Sequence, residues 1–158
     1  MSGERLAVNG LAVNGEWMSG ERLADTNYKN IRKMSGQYFT YRDLRVYQHA
    51  KDYVVFVYSL IKQFPKEENY ALCDQLRRAS VSISSNIVEG MSRTSIKEQL
   101  HFIEISYGSL CETMCQLEIA YELHFINEEQ LREAEDRTTA IAQMLSGLKN
   151  KRTQTTHL

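Results

Sequence analysis

Leu76-Arg77-Arg78-Ala79-Ser80-Val81-Ser82-Ile83-Ser84-Ser85-Asn86-Ile87-Val88-Glu89-Gly90 is the stretch whose reading decides the fold. Wound as a helix, it sets Leu76, Ala79, Ile83 and Ile87 on one apolar stripe, yet it carries four serines and an asparagine where a solvated helix favours Lys, Glu or Gln. Ser and Asn side chains compete for backbone hydrogen bonds, so a helix rich in them depends on tertiary packing. Their small size also lets a neighbour come close. The stretch therefore predicts a buried, partly polar seam, in which Ser85, Asn86 and Glu89 join Ser109, Glu112 and Gln116 of a following helix.

Outward from that stretch, the pattern is helical throughout. Upstream, Leu44, Tyr47, Ala50, Val54, Val57, Ile61 and Phe64 recur at helical spacing until Pro65 forces Phe64 out of the helical region. A second stripe beside it, Val46, Tyr53, Phe56 and Leu60, widens the apolar arc well beyond the roughly 100° of a one-sided helix, and is expected to form an oligomer interface. The serine-rich helix should open between Lys66 and Tyr70 and stop at Gly90. Downstream, Ser95 and Glu98 have the spacing of a capping box, and Leu100, Ile103, Tyr107, Leu110, Met114, Leu117 and Tyr121 form a heptad seam. Gly108 interrupts that helix at a cost of about 1 kcal/mol relative to alanine, which predicts a close helix approach at Gly108-Ser109, against the serines of the opening stretch. After a turn at His124-Phe125, Asn127 and Gln130 cap a last helix carrying Leu131, Ala134, Thr138, Ile141, Leu145 and Leu148. Four long helices with short connectors predict an all-α, antiparallel up-down-up-down four-helix bundle over residues 39–150.

Two segments fall outside this pattern. Residues 1–38 repeat Met-Ser-Gly-Glu-Arg-Leu-Ala at 1–7 and 18–24, and Leu-Ala-Val-Asn-Gly at 6–10 and 11–15. Units this short cannot build a solenoid, so they are expected to form a flexible leader, native or not, with Met34 as an alternative start. Residues 151–158 are expected to be a frayed polar tail.

Composition narrows the function. A net charge of −1 over 158 residues removes any global electrostatic argument for nucleic acid and leaves only local basic patches. Arg77 and Arg78, with Arg93 and Lys97 near the next helix start, are the candidates for nucleic-acid or partner contact, against the alternative of ordinary surface ion pairs. The three cysteines lack CxxC spacing. Cys111 and Cys115, one turn apart, are expected to be small core fillers. Glu98 and His101 give one Glu-x-x-His, but a di-iron bundle needs the motif on two helices, so no metal, cofactor or catalytic residue is assigned and no enzyme is expected. With no signal sequence and no apolar run of membrane-spanning length, the expectation is a cytoplasmic protein without a membrane partner.

Leu76-Arg77-Arg78-Ala79, Ser82-Ile83, Ser85-Asn86-Ile87 and Glu89-Gly90 together resemble the signature of the 23S rRNA intervening-sequence protein family. Tyr41-Arg42-Asp43-Leu44 with Val46-Tyr47-Gln48, Phe64-Pro65, Phe102-Ile103, Gly108-Ser109-Leu110 and Gln116-Leu117 extend the resemblance over about residues 41–148. Tyr47, Ser84 and His124-Phe125 depart from it, standing where tryptophan, proline and Gly-Tyr are common. The resemblance implies a bacterial four-helix bundle assembled as a homo-oligomer, a ring of five, with RNA or an RNA-processing partner. A related family, the accessory variability determinant of diversity-generating retroelements, implies the alternative of a scaffold for a reverse transcriptase.

Overall fold

The computed structural model describes residues 41–154. The expected leader, 1–38, lies outside them, as do the last four residues of the expected tail. Four helices make up the described chain: α1 (Arg45–Leu60), α2 (Leu72–Ser92), α3 (Ile96–Glu122) and α4 (Glu128–Gln154). In α1, Val46, Ala50, Tyr53, Val57 and Leu60 alternate steps of four and three and are all buried. This one stripe merges members of the two read from the sequence. It corrects the expectation of a spare interface face: Val46, Tyr53 and Leu60 lie inside the chain's own core, and Phe56 is half-buried against Tyr53 and beneath the Arg137 guanidinium. A broad apolar arc shows that a helix is well buried but not by whom.

Helix α1 tightens into a 3-10 turn, Ile61–Gln63, and Phe64 takes the extended backbone that Pro65 demands. The expected opening of α2 is a separate 3-10 turn, Lys66–Tyr70. At its other end α2 passes through Gly90 to Ser92, so Gly90 is not its stop. A Cβ at Gly90 would come within 3.0 Å of the Phe102 Cβ, so glycine is there to let α2 and α3 meet. The close approach expected at Gly108-Ser109 is made by Ser109, whose Oγ lies 2.8 Å from Ser82 Oγ, whereas a Cβ at Gly108 would have no described residue within 4 Å.

The start of α3 lacks the expected capping box, for Ser95 makes no side-chain cap bond. The start of α4 has one: Asn127 N–H donates to Gln130 Oε1 at 3.0 Å and Gln130 N–H to Asn127 Oδ1 at 2.9 Å. Between them, Phe125 N–H reaches back to the Ala120 carbonyl at 2.8 Å and His124 adopts φ 59, closing α3 with a left-handed residue. Helix α4 continues to Gln154, past the expected limit at residue 150, with Lys151 and Arg152 favourably placed in its last turn.

Each helix packs on its two neighbours in a cycle, α1–α2–α3–α4–α1, most extensively at α2–α3. The pairs run in opposite directions. Ser82 meets Ser109 while Gly90 meets Phe102, and Tyr53 meets Thr138 while Gln63 meets Gln130. The architecture is an all-α four-helix bundle.

Candidate functional site

The α2–α3 seam begins with serine chemistry. Asn86 Nδ2 donates to the Ser82 carbonyl at 2.7 Å and to Ser82 Oγ at 2.9 Å, and Ser82 Oγ lies 2.8 Å from Ser109 Oγ. Ser109 Oγ in turn donates to the Ile105 carbonyl at 3.0 Å. A hydroxyl has one proton, so Ser82 must donate to Ser109, and the bonds run in one direction, Asn86 to Ser82 to Ser109 to Ile105. One helical step away, fully buried Ser106 donates to the Ile83 carbonyl at 2.9 Å. Those two bonds cross between helices and fix their register.

The other expected members of the polar network stand apart. Gln116 Nε2 donates to Glu112 Oε1 at 3.1 Å, one turn further along α3, and Glu89 pairs with Arg93 within α2 and its connector. Ser85 is exposed and joins none of these bonds. Ser106 was missed by the sequence reading, although it lies three residues from Ser109, which that reading named, and so shares a helix face with it.

Arg77, Arg78, Arg93 and Lys97 do not form one cluster. Arg77 lies near the start of α2 and Arg93 just past its end, sixteen residues or about 24 Å further along the axis. Arg77 donates to the Asn69 carbonyl at 3.1 Å, and Arg78 pairs with Asp74 at 3.4 Å. Both line a shallow hollow with Tyr58, Val81, Ser82 and Ser85. At the opposite end of the bundle, Arg93 lies 5.1 Å above the Phe102 ring, its Nε buried without a hydrogen-bond partner. Lys97 is exposed in the first turn of α3.

The outer face of α2 and α3 is more apolar than its sequence suggests. Ile105, Gly108, Cys115, Ile119 and Leu123 follow one another at helical spacing on α3, and all are exposed. Val81 is exposed on the neighbouring side of α2. Cys115, and Cys111 beside it, are therefore surface thiols and not the expected core fillers. Cys73 is the buried one. A glycine on an exposed helix face whose Cβ would meet no described residue, on one stripe with exposed Ile105 and Ile119, has the makings of a helix-docking face.

Among the described residues, no three His, Cys, Asp or Glu converge as metal ligands would, and no helix is long and apolar enough to cross a membrane. His49, His101 and His124 are exposed and lie on separate elements.

The sequence model of a family described as 23S rRNA-intervening sequence protein matches residues 42–147. No curated protein matches. Among solved structures, the chain is similar to a protein of unknown function from the S23 ribosomal protein family of Bacteroides thetaiotaomicron. The identity is 22%, the TM-score is 0.61, and the match covers 66% of this chain and 97% of that one.

Proposed function

The chain belongs to the 23S rRNA-intervening sequence protein family, and on that premise we propose that it is a non-enzymatic, ring-forming bundle of the cytoplasm that binds RNA or an RNA-processing partner. The observation that carries this reading is the exposed face of α3, where Ile105 lies about one turn before Gly108 and Ile119 and Leu123 continue the same stripe. Exposed isoleucines beside a glycine suit close packing by another helix, and a second copy supplies one through symmetry. The family's description supports RNA as the ligand class.

The test has two parts. Light scattering should give a multiple of the 18.3 kDa chain mass. Ile105→Glu should reduce it to the monomer with helix content retained, and a monomeric wild type at tens of micromolar would sink the assembly. A gel-shift titration with structured and single-stranded RNA should show salt-sensitive binding, and its absence at micromolar protein would remove the RNA half.

A second reading, a protein scaffold accessory to a reverse transcriptase without nucleic-acid contact of its own, is favoured by one observation. Arg78, Arg93, Arg132 and Arg137 each pair with a carboxylate one turn away in sequence. Co-purification with a neighbouring polymerase by a protein that shifts no RNA would favour it.

A further inference from the structure

The charges of this bundle are sorted along its axis. The half built from residues 41–52, 83–109 and 142–154 carries eight Lys/Arg and five Asp/Glu, whereas the half from 53–82 and 110–141 carries six and eleven. The described residues, 41–154, thus have one end near +3 and another near −5. Antiparallel helices put two N-termini and two C-termini at each end, so the backbone dipoles largely cancel and the polarity belongs to the side chains.

Dipole complementarity accounts for some of these charges: Glu128 and Glu129 open α4, and Lys151 and Arg152 close it. It does not account for Arg45 and Lys97. They occupy the first turns of α1 and α3, where a helix disfavours a cation, and neither forms an ion pair among the described residues. Both lie at the basic end. Arg45 shares a hollow with Lys151, and Lys97 lies in the α3 turn that follows Arg93. Ion pairing itself does not tell the two ends apart: Arg78, Arg132 and Arg137 are matched to their own carboxylates at the acidic end, as Arg93 is to Glu89 and Lys149 to Glu104 at the basic end.

Aromatic rings accompany the cations. Tyr107 is exposed and lines a small hollow with Lys149, and exposed His101 stands edge-on to Phe102 at 5.8 Å, on the ring that Arg93 covers. Cations that hold phosphates, interleaved with rings on which bases stack, are what an unpaired polynucleotide needs, whereas an acidic peptide would need the cations alone. Resting on the RNA reading above, we propose that single-stranded RNA is bound at the basic end. In that arrangement Arg45, Lys97 and Lys151 meet phosphates, Lys149 joins them by exchanging Glu104 for the RNA, and Tyr107 meets a base, while Arg77 and Arg78 at the far end stay out of contact.

The experiment uses the full chain and a fluorescein-labelled 15-nucleotide uridine RNA, followed by polarisation between 50 and 200 mM salt. Lys97→Glu/Lys149→Glu/Lys151→Glu should bind at least 30-fold more weakly and flatten the log-log salt dependence by about 2, since each phosphate contact on a single strand contributes roughly 0.7. Tyr107→Ala should lose about tenfold on this probe and less than threefold on an RNA duplex. Arg77→Glu/Arg78→Glu should stay within twofold of wild type. Helix content and assembly mass serve as folding controls, and Lys97→Gln/Lys151→Gln, expected to lose about tenfold, replaces the triple variant if that one does not fold. Equal losses at both ends, or a loss confined to Arg77→Glu/Arg78→Glu, would overturn the placement while leaving RNA binding intact. A wild type that ignores RNA but binds polyglutamate would overturn both readings.

Discussion

The α2–α3 and α1–α4 seams join the same bundle by different means. Between α1 and α4 the filling is large and apolar: Tyr53 and Val57 share one core with Ala134, Ile141 and Leu145, and a polar bond there runs from Thr138 Oγ1 to the Tyr53 phenol oxygen at 3.2 Å. Between α2 and α3 the filling is small and polar, and Ser82, Ser106 and Ser109 hold register at a helix separation that Gly90 permits. The first seam draws its strength from buried area and the second draws its specificity from geometry. The polar one is also the more extensive, because thin side chains bring two backbones together along more of their length.

That difference can be broken from either side. Tyr53→Ala removes a fully buried ring and should cost about 3–5 kcal/mol in urea unfolding. A cost below about 1 kcal/mol would show that the apolar seam is not the main store of stability. Alkaline pH probes the same residue. Burial pushes the Tyr53 phenol up to about 12, against the opposing influence of Thr138 and Arg137, while an unfolded tyrosine ionises near 10. The folded chain keeps its proton where the unfolded chain has lost it. This contribution is therefore complete below pH 10 and fades as pH rises to about 12, a loss of about 2–3 kcal/mol. The buried Cys73 thiol, raised chiefly by desolvation, acts in the same direction. Tyr53→Phe should flatten the decline.

On the polar side, Gly90→Val should cost about 2 kcal/mol by forcing Phe102 away, since the first atom met belongs to the opposing helix near its backbone. Gly108→Ala should do the opposite. With open space around its Cβ, it should stabilise the isolated chain by up to about 1 kcal/mol through helix propensity. If assembly mass falls in the same variant, Gly108 marks contact between copies. Unchanged mass would leave the glycine without an account.

Much of this was legible in the chain. The apolar stripe of Leu76, Ala79, Ile83 and Ile87 is buried as the 3.6-residue period requires, and the Asn127–Gln130 cap forms as its spacing indicates. Less legible was which of several neighbours a side chain would meet. Asn86 and Ser109 share a network through Ser82, whereas Glu112 and Gln116 turn to each other, because a one-turn step along α3 already lies beyond the reach of α2 serines. Four basic residues close in sequence separate into two ends because most of the 21-residue α2 lies between Arg77 and Arg93.

The sequence by itself determined the four helices, their order and their antiparallel course, since periodicity and short connectors are local properties that leave few ways to bury four apolar stripes. Only the tertiary structure decided that Val46, Tyr53 and Leu60 belong to the core and Cys111, Cys115 and Gly108 to the surface. It alone also sorted the charges into a basic and an acidic end. The reason is physical: the azimuth of a helix is set by the partners it packs against, and the position of a charge along a bundle by the direction in which each helix runs.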